Sequence, residues 1–192
     1  MFNNREIEIS KDFFKLKNDL MKLLVNPKGI HGINHIKRVY ILVNLIADME
    51  NINERDRKIL SYCALYHDIG RVNDWYDINH GVNSFLKIEK ENLIDNKYKD
   101  KEIVRFIIEN HCNNDKDSIM KINNYKINDK ERAMYLYKVF KDSDGLDRVR
   151  IMDFNKKYLR LKISNKLIPI AQKLYYKDTE INKEHYILRF IL

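Results

Sequence analysis

Ala64-Leu65-Tyr66-His67-Asp68-Ile69-Gly70 is the stretch that decides the fold: an adjacent histidine and aspartate close an otherwise apolar run. Upstream of it, Ile59, Tyr62, Cys63 and Tyr66 recur at three- and four-residue steps behind Asn53, a suitable N-cap, which predicts a helix over 53–69. An unpaired carboxylate buried at the end of such a helix costs several kcal/mol. A divalent cation would supply the partner, and imidazole with carboxylate suits Mn, Fe, Ni, Zn or Mg.

Outward from this point the pattern stays helical. Ile9, Phe13, Leu16, Leu20, Leu23 and Leu24 form one stripe, predicting a helix over about 8–25 that stops before Pro27 and Gly29. A helix over 34–49 turns Ile36, Val39, Tyr40, Val43 and Ile46 inward, and 70–79 reads as a loop. The next helix begins near His80 and carries Val82, Phe85, Leu86 and Leu93; another spans about 100–111 with Ile103, Val104, Ile107 and Ile108 buried. Residues 113–128 are polar and predict a flexible excursion, followed by a helix over 129–142. Past Gly145 the pattern remains helical, with Pro169 starting or interrupting a late segment. Five Gly and two Pro are too few for the turns of an all-β sandwich. The expectation is an all-α bundle of about seven to nine helices. At 192 residues, splitting the chain in two would leave marginal halves, so one domain over 1–192 is expected.

Composition narrows the function classes. No apolar run approaches the ~18 residues that span a bilayer, and residues 1–12 are too polar for a signal peptide. Cys63 and Cys112 form no CxxC pair and read as reduced packing thiols of a cytoplasmic protein. The net charge of +8 suits a polyanionic partner. Its lysines are dispersed among acids, however, with no arginine stripe or basic arm, which argues against nucleic acid.

His31, His35, His67, His80 and His111 fall at or beside predicted helix ends, whereas His185 stands apart and reads as a surface or packing residue. Three motifs follow one another: His35-Ile36-Lys37-Arg38-Val39, the His67-Asp68 doublet, and Lys141-Asp142-Ser143-Asp144-Gly145-Leu146-Asp147. Together they resemble the HxxRV, HD and DADxLD motifs of the HD superfamily of metal-dependent phosphohydrolases, over about 29–150. Asp147-Arg148-Val149-Arg150-Ile151, with Tyr158-Leu159-Arg160 after it, is similar to the tail of a bacterial subgroup of small HD proteins.

The resemblance implies that His35, His67, Asp68 and Asp144 hold a divalent ion, with Asp68 doubling as proton acceptor. In branches with extra histidines at the places of His80 and His111, these hold a second ion or contact the substrate phosphate. One or two ions are therefore expected, with Asp68, His80, His111 and Arg71 as the catalytic set. Arg71, Arg148 and Arg150 lie near the motifs as candidates for phosphate, which a guanidinium fork grips with two parallel hydrogen bonds. Arg38 reads instead as a partner of Asp147, orienting the ligand shell. Gly29 and Gly32 argue that the second helix starts after His31, leaving that residue at the rim. Asp74, Trp75 and Asp77 lie on the loop that would line the entrance.

The implied activity is hydrolysis of a phosphomonoester, phosphodiester or small nucleotide by a metal-activated water. The His-Asp-x-x-Glu-Asp pattern of alarmone hydrolases is missing, since Ile69-Gly70-Arg71 follows the doublet, and so is the Gly-Tyr-Pro motif of cyclic dinucleotide phosphodiesterases. Two other readings stand beside it. An HD module could bind metal or nucleotide as a sensor without turnover; a basic helical nucleic-acid binder would show salt-sensitive binding and no metal. The sequence leaves oligomeric state open.

Overall fold

Helix α2 (Ile33–Met49) is the axis of the molecule, with twelve of its 17 residues buried. A helix apolar on nearly all sides has to be surrounded, and α1 (Phe2–Leu23), α3 (Glu54–Tyr66) and α7 (Lys130–Leu146) pack directly against it. In this computed structural model the backbone is described for residues 2–191 and the side chains for residues 4–179. The expectation for His185 lies outside the described side chains. Helices α4 (His80–Lys90), α5 (Lys101–Asn110), α6 (Asp115–Lys121) and α8 (Ile168–Ile191) complete eight α-helices, with no strand among the described residues. The architecture is an all-α bundle. No helix among the described residues is long and apolar enough to cross a membrane.

Local chemistry sets the helix starts. The Asn53 side chain accepts a hydrogen bond from the Asp56 amide, and Glu54 and Asp56 place negative charge on the first turn of α3, where the helix dipole favours it. One apolar cluster then runs from Ile9 on α1 to Leu174 on α8, through Ile46, Ile59, Phe85, Ile107 and Phe140.

The structure departs from the sequence reading in four places. Helix α1 begins at Phe2, and Leu16, on the predicted stripe, faces solvent. Helix α4 buries Phe85 and Ile88 but exposes Val82 and Leu86, and Leu93 falls beyond its end. Residues 113–128 are no excursion: Asn114 caps α6 by accepting from the Asp117 amide, and a 3₁₀ turn (Ile122–Asn124) follows. Ser118, Ile122 and Ile127 are buried there, and the Tyr137 hydroxyl donates to Ser118 Oγ at 2.8 Å. A cap and three inward side chains outweigh the polar average of the segment.

Finally, α7 runs through Gly145 to Leu146. It is followed by 3₁₀ segments (Asp147–Ile151, Lys156–Tyr158, Lys162–Leu167) rather than by further α-helix, and α8 then opens with Pro169 in its first turn. Buried Asp142 gathers this return path, accepting from the Arg160 and Leu161 amides and from Ser164 Oγ.

Phe140 lies fully buried on α7, its ring 5.3 Å from that of His67 and 6.0 Å from that of His111. Phe140→Ala is expected to cost about 3–5 kcal/mol, read as a lower denaturant midpoint at unchanged m-value. A loss below about 1 kcal/mol would show that the helices close over the gap.

Candidate metal centre

Five elements deliver their ends to one place. His35 comes from the first turn of α2, and His67 is the C-cap of α3 with Asp68 next to it. His80 opens α4, His111 is the C-cap of α5, and Asp144 and Asp147 come from the end of α7. Gly81 makes one of these meetings possible: a Cβ there would lie 2.5 Å from the Ile108 carbonyl oxygen. Only bare backbone lets α4 begin against the end of α5, and that crossing sets His80 beside His111.

The hydrogen bonds fix the imidazole tautomers. His67 Nδ1 faces the Ala64 carbonyl at 3.1 Å, His111 Nδ1 that of Ile108 at 2.7 Å, and His80 Nδ1 that of Asp77. A carbonyl can only accept, so each Nδ1 carries the proton and each Nε2 keeps a lone pair. His35 Nδ1 donates likewise to Asp147 Oδ2 at 2.7 Å.

The Nε2 atoms then meet in two pairs, His35 with His67 at 3.1 Å and His80 with His111 at 2.8 Å. Two lone pairs facing each other repel, and a cation between them would relieve that repulsion. Imidazole nitrogens sharing one ion at bonds of ~2.0–2.1 Å sit roughly 3 Å apart, so both pairs fit a divalent metal.

Asp68 lies between the pairs and is 3% exposed. Its Oδ2 is 3.4 Å from His35 Nε2 and 3.6 Å from His67 Nε2; its Oδ1 is 3.3 Å from His80 Nε2 and 3.6 Å from His111 Nε2. Asp144 Oδ1 joins the first pair, 3.6 Å from His35 Nε2.

Burial pushes His67 down to about 3 and, with the neighbouring His111, His80 down to about 4, so both rings are neutral near pH 7. Burial alone would raise Asp68, but the surrounding imidazoles of His67, His111, His31 and His35 hold it well below the ordinary carboxylate value. Asp144 is lowered against its burial by His35, His67 and His111, and Asp147 against its burial by His35 and Arg38.

The centre opens into a cavity of about 590 Å³. Arg71 lines it while holding Asp68 Oδ1 through Nε at 2.9 Å, with Nη2 3.2 Å from His80 Nε2. Arg150 is buried along the wall, donating to the Ile30 and Asp147 carbonyls, and Arg148 is half-exposed and paired with Asp153. Arg38 does not reach the cavity. It lies behind the centre, with Nε and Nη2 on the Asp147 carboxylate at 2.5 and 3.1 Å. Asp74 accepts from the His31 amide and from Asn26 Nδ2, pinning its loop, while Trp75 stands exposed at the mouth.

Two residues of the site sit differently from the sequence reading, and a third, Lys141, escaped it. His31, expected at the rim, sits deeper, with Nδ1 3.0 Å from Asp68 Oδ2. Lys141 lines the cavity with Nζ on the carbonyls of His111 and Asn113, and burial lowers its pKa. Cys112, read as a packing thiol, lies in the cavity wall and groups with His80 and His111 as a third donor. Adjacency to a motif was the available signal for Lys141, and to His111 for Cys112.

The HD domain family model matches residues 32–153, more than half of the chain. The chain belongs to the HD domain family. Its members are commonly metal-dependent hydrolases and typically bind divalent metals. No curated protein and no solved structure matches this HD protein.

Because His67 and His80 refuse protons that the unfolded chain accepts at an ordinary value of 6.5, the unfolded state binds more protons between about 6.5 and their folded values of about 3 and about 4. Stability of the metal-free protein is therefore full above about pH 6.5 and falls with pH below it. The lowered carboxylates of Asp68, Asp144 and Asp147 add a further loss from their ordinary value of 3.8 downward. The melting temperature of metal-stripped protein is expected to drop between about pH 7 and about pH 5; a flat or rising profile would contradict neutral burial of the two histidines.

Proposed function

We propose that this HD protein hydrolyses a phosphoester bond of a small nucleotide, at a centre whose residues would hold two divalent ions with Asp68 facing both. The observation that carries the reading is the arrangement of lone pairs: two histidine pairs, tautomers fixed, facing opposite oxygens of one buried carboxylate. His35, His67, Asp144 and Asp68 Oδ2 would hold one ion, and His80, His111 and Asp68 Oδ1 the other. Bound divalent ions supply two things: a lowered pKa for a water and polarisation of the phosphoryl oxygen.

The chain supplies the rest. Arg71, at the cavity floor, offers donors to a phosphate while holding Asp68 in place. Two of the three Lys141 donors are spent on carbonyls, leaving one N–H for the anion. Arg148 stands farther out, where a second phosphate or a leaving group would pass, and Arg150 stiffens the wall beside His31. Asp68, ionised between the pairs, would serve as a ligand rather than as a base, since its neighbours hold its pKa well below the ordinary carboxylate value.

A nucleotide is favoured over a simple phosphomonoester by the mouth. Trp75 is 81% and Tyr76 91% exposed there, and Tyr158 lies exposed across the same cavity. Exposed aromatic faces above a cationic floor suit a base joined to phosphates, and the net charge of +8 favours a polyanion. Two free thiols fit a reducing, cytoplasmic setting.

Metal analysis of the purified protein, with a nucleotide and phosphoester panel, tests the reading. The wild type is expected to carry two ions per chain. The His80→Ala/His111→Ala double variant should keep one, and His67→Ala or Asp68→Ala should lose the centre. Turnover of the Asp68 variant should fall by more than the ~10–100-fold that loss of an outer partner costs. A wild type that stays empty with Mn, Fe, Ni, Zn and Mg sinks the hydrolase reading; full loading with no turnover leaves a metal-holding sensor.

A further inference from the structure

Helix α8 reaches the metal centre without touching it. Arg38 lies buried between two carboxylates: its Nε and Nη2 hold Asp147, and its Nη1 donates to Asp178 Oδ2 at 2.8 Å. Asp178 belongs to α8 and is 6% exposed. One turn earlier on the same helix, the Tyr175 ring lies 5.7 Å from the Arg38 guanidinium carbon. Ala171 and Leu174 are buried on the same helix, so α8 packs inward as far as Asp178. A guanidinium held at one end by α8 and at the other by Asp147 has its plane fixed, and Asp147 in turn takes the Nδ1 proton of His35.

We propose that Asp178 is a positioning residue of the metal centre, acting through Arg38 and Asp147 on His35. The proposal rests on the metal reading above. Without the Asp178 carboxylate, Arg38 keeps its charge in a buried place and, among the described residues, has one anion left to satisfy, Asp147. That carboxylate already accepts from His35, and Arg150 Nη1 lies 3.3 Å from it. A stronger pull from Arg38 withdraws electron density from the bond to His35 Nδ1–H. The imidazole then becomes a poorer donor at Nε2, and its ring loses the fixed orientation that aims it at His67.

Lys37 provides the control. Its Nζ pairs with Asp178 Oδ1, on the other oxygen from the one Arg38 uses, and it has no bond to Asp147. Loss of Lys37 loosens α8 while leaving the path to His35 intact.

The test measures the metal dissociation constant of the full chain, with Mn or Co in competition with a chromogenic chelator, beside the melting temperature of the metal-free protein. Asp178→Asn is expected to bind about tenfold more weakly or worse, in the range for outer partners of metal ligands. Asp178→Glu should recover most of the affinity, and Lys37→Met should bind as the wild type does even where its melting temperature falls. An Asp178→Asn protein that melts earlier but binds metal as tightly as the wild type overturns the proposal and leaves Asp178 as a docking contact. A Lys37→Met protein as weakened as Asp178→Asn overturns it too.

Should Asp178→Asn fail to fold, Tyr175→Leu carries the test, with a twofold to threefold loss expected and none overturning. A wild type that takes up no ion would overturn the metal reading itself, and this proposal with it. Normal loading with an unchanged Asp178→Asn would overturn the proposal alone.

Discussion

The Nδ1 protons of His35, His67, His80 and His111 are each taken by an oxygen that has none to return. Three of those oxygens are carbonyls, two of them in the last turn of the same helix whose end carries the histidine. A C-cap histidine that folds back onto its own helix spends one nitrogen on an otherwise orphan carbonyl and aims the other away from the axis. The ligand geometry is thereby built into helix termination. Everything else in the centre follows from where those ends are brought, and the packing of α2, α3, α5 and α7 around Phe140 brings them together.

Charge is handled differently at the two ends of the bundle. Around the centre, Asp68, Asp144 and Asp147 lie among histidines, Arg38, Arg71 and Arg150, and the surplus of imidazole lone pairs leaves room for cations. At the other end, Arg132 bridges Asp56 and Asp100, and Arg55 adds a two-pronged hold on Asp100 at 2.6 and 2.7 Å. There the carboxylates are held by guanidinium donors, and no imidazole among the described residues joins them. That network ties α3 and α7 to the residue that precedes α5, which suits a structural role; the cluster near Asp68 keeps donors aimed into space.

Much of this was legible from residue order. Helix ends could be placed because Asn53, Pro27 and Gly29 punctuate clear apolar periods, and the doublet could be weighed because His35 and Asp144 stand at suitable distances on either side. The contents of 113–128 could not be read, because Ser118, Ile122 and Ile127 are too few to form a stripe and are buried by neighbours distant in sequence, among them Tyr137. Val82 and Leu86 looked like core and are not, since α4 is covered on one side only. His31 looked peripheral because it lies between Gly29 and Gly32, ahead of α2, yet the turn there carries its ring back to Asp68. Asp178 carried no signal, for its partner lies 140 positions away.

The order in which the ligands leave the ribosome has a consequence of its own. The candidate donors lie at positions 35, 67, 68, 80, 111 and 144, and His35 takes its orientation from Asp147, 112 residues later. A nascent chain that has exposed its doublet still lacks Asp144 and any partner for His35, so it offers soluble cations little more than a loose peptide does. Capture of an ion by these residues would wait on long-range closure, the slow kind of event in folding. Metal occupancy in this protein would then mark chains whose α7 has already docked, making the ion a seal on the folding of the helices that hold it.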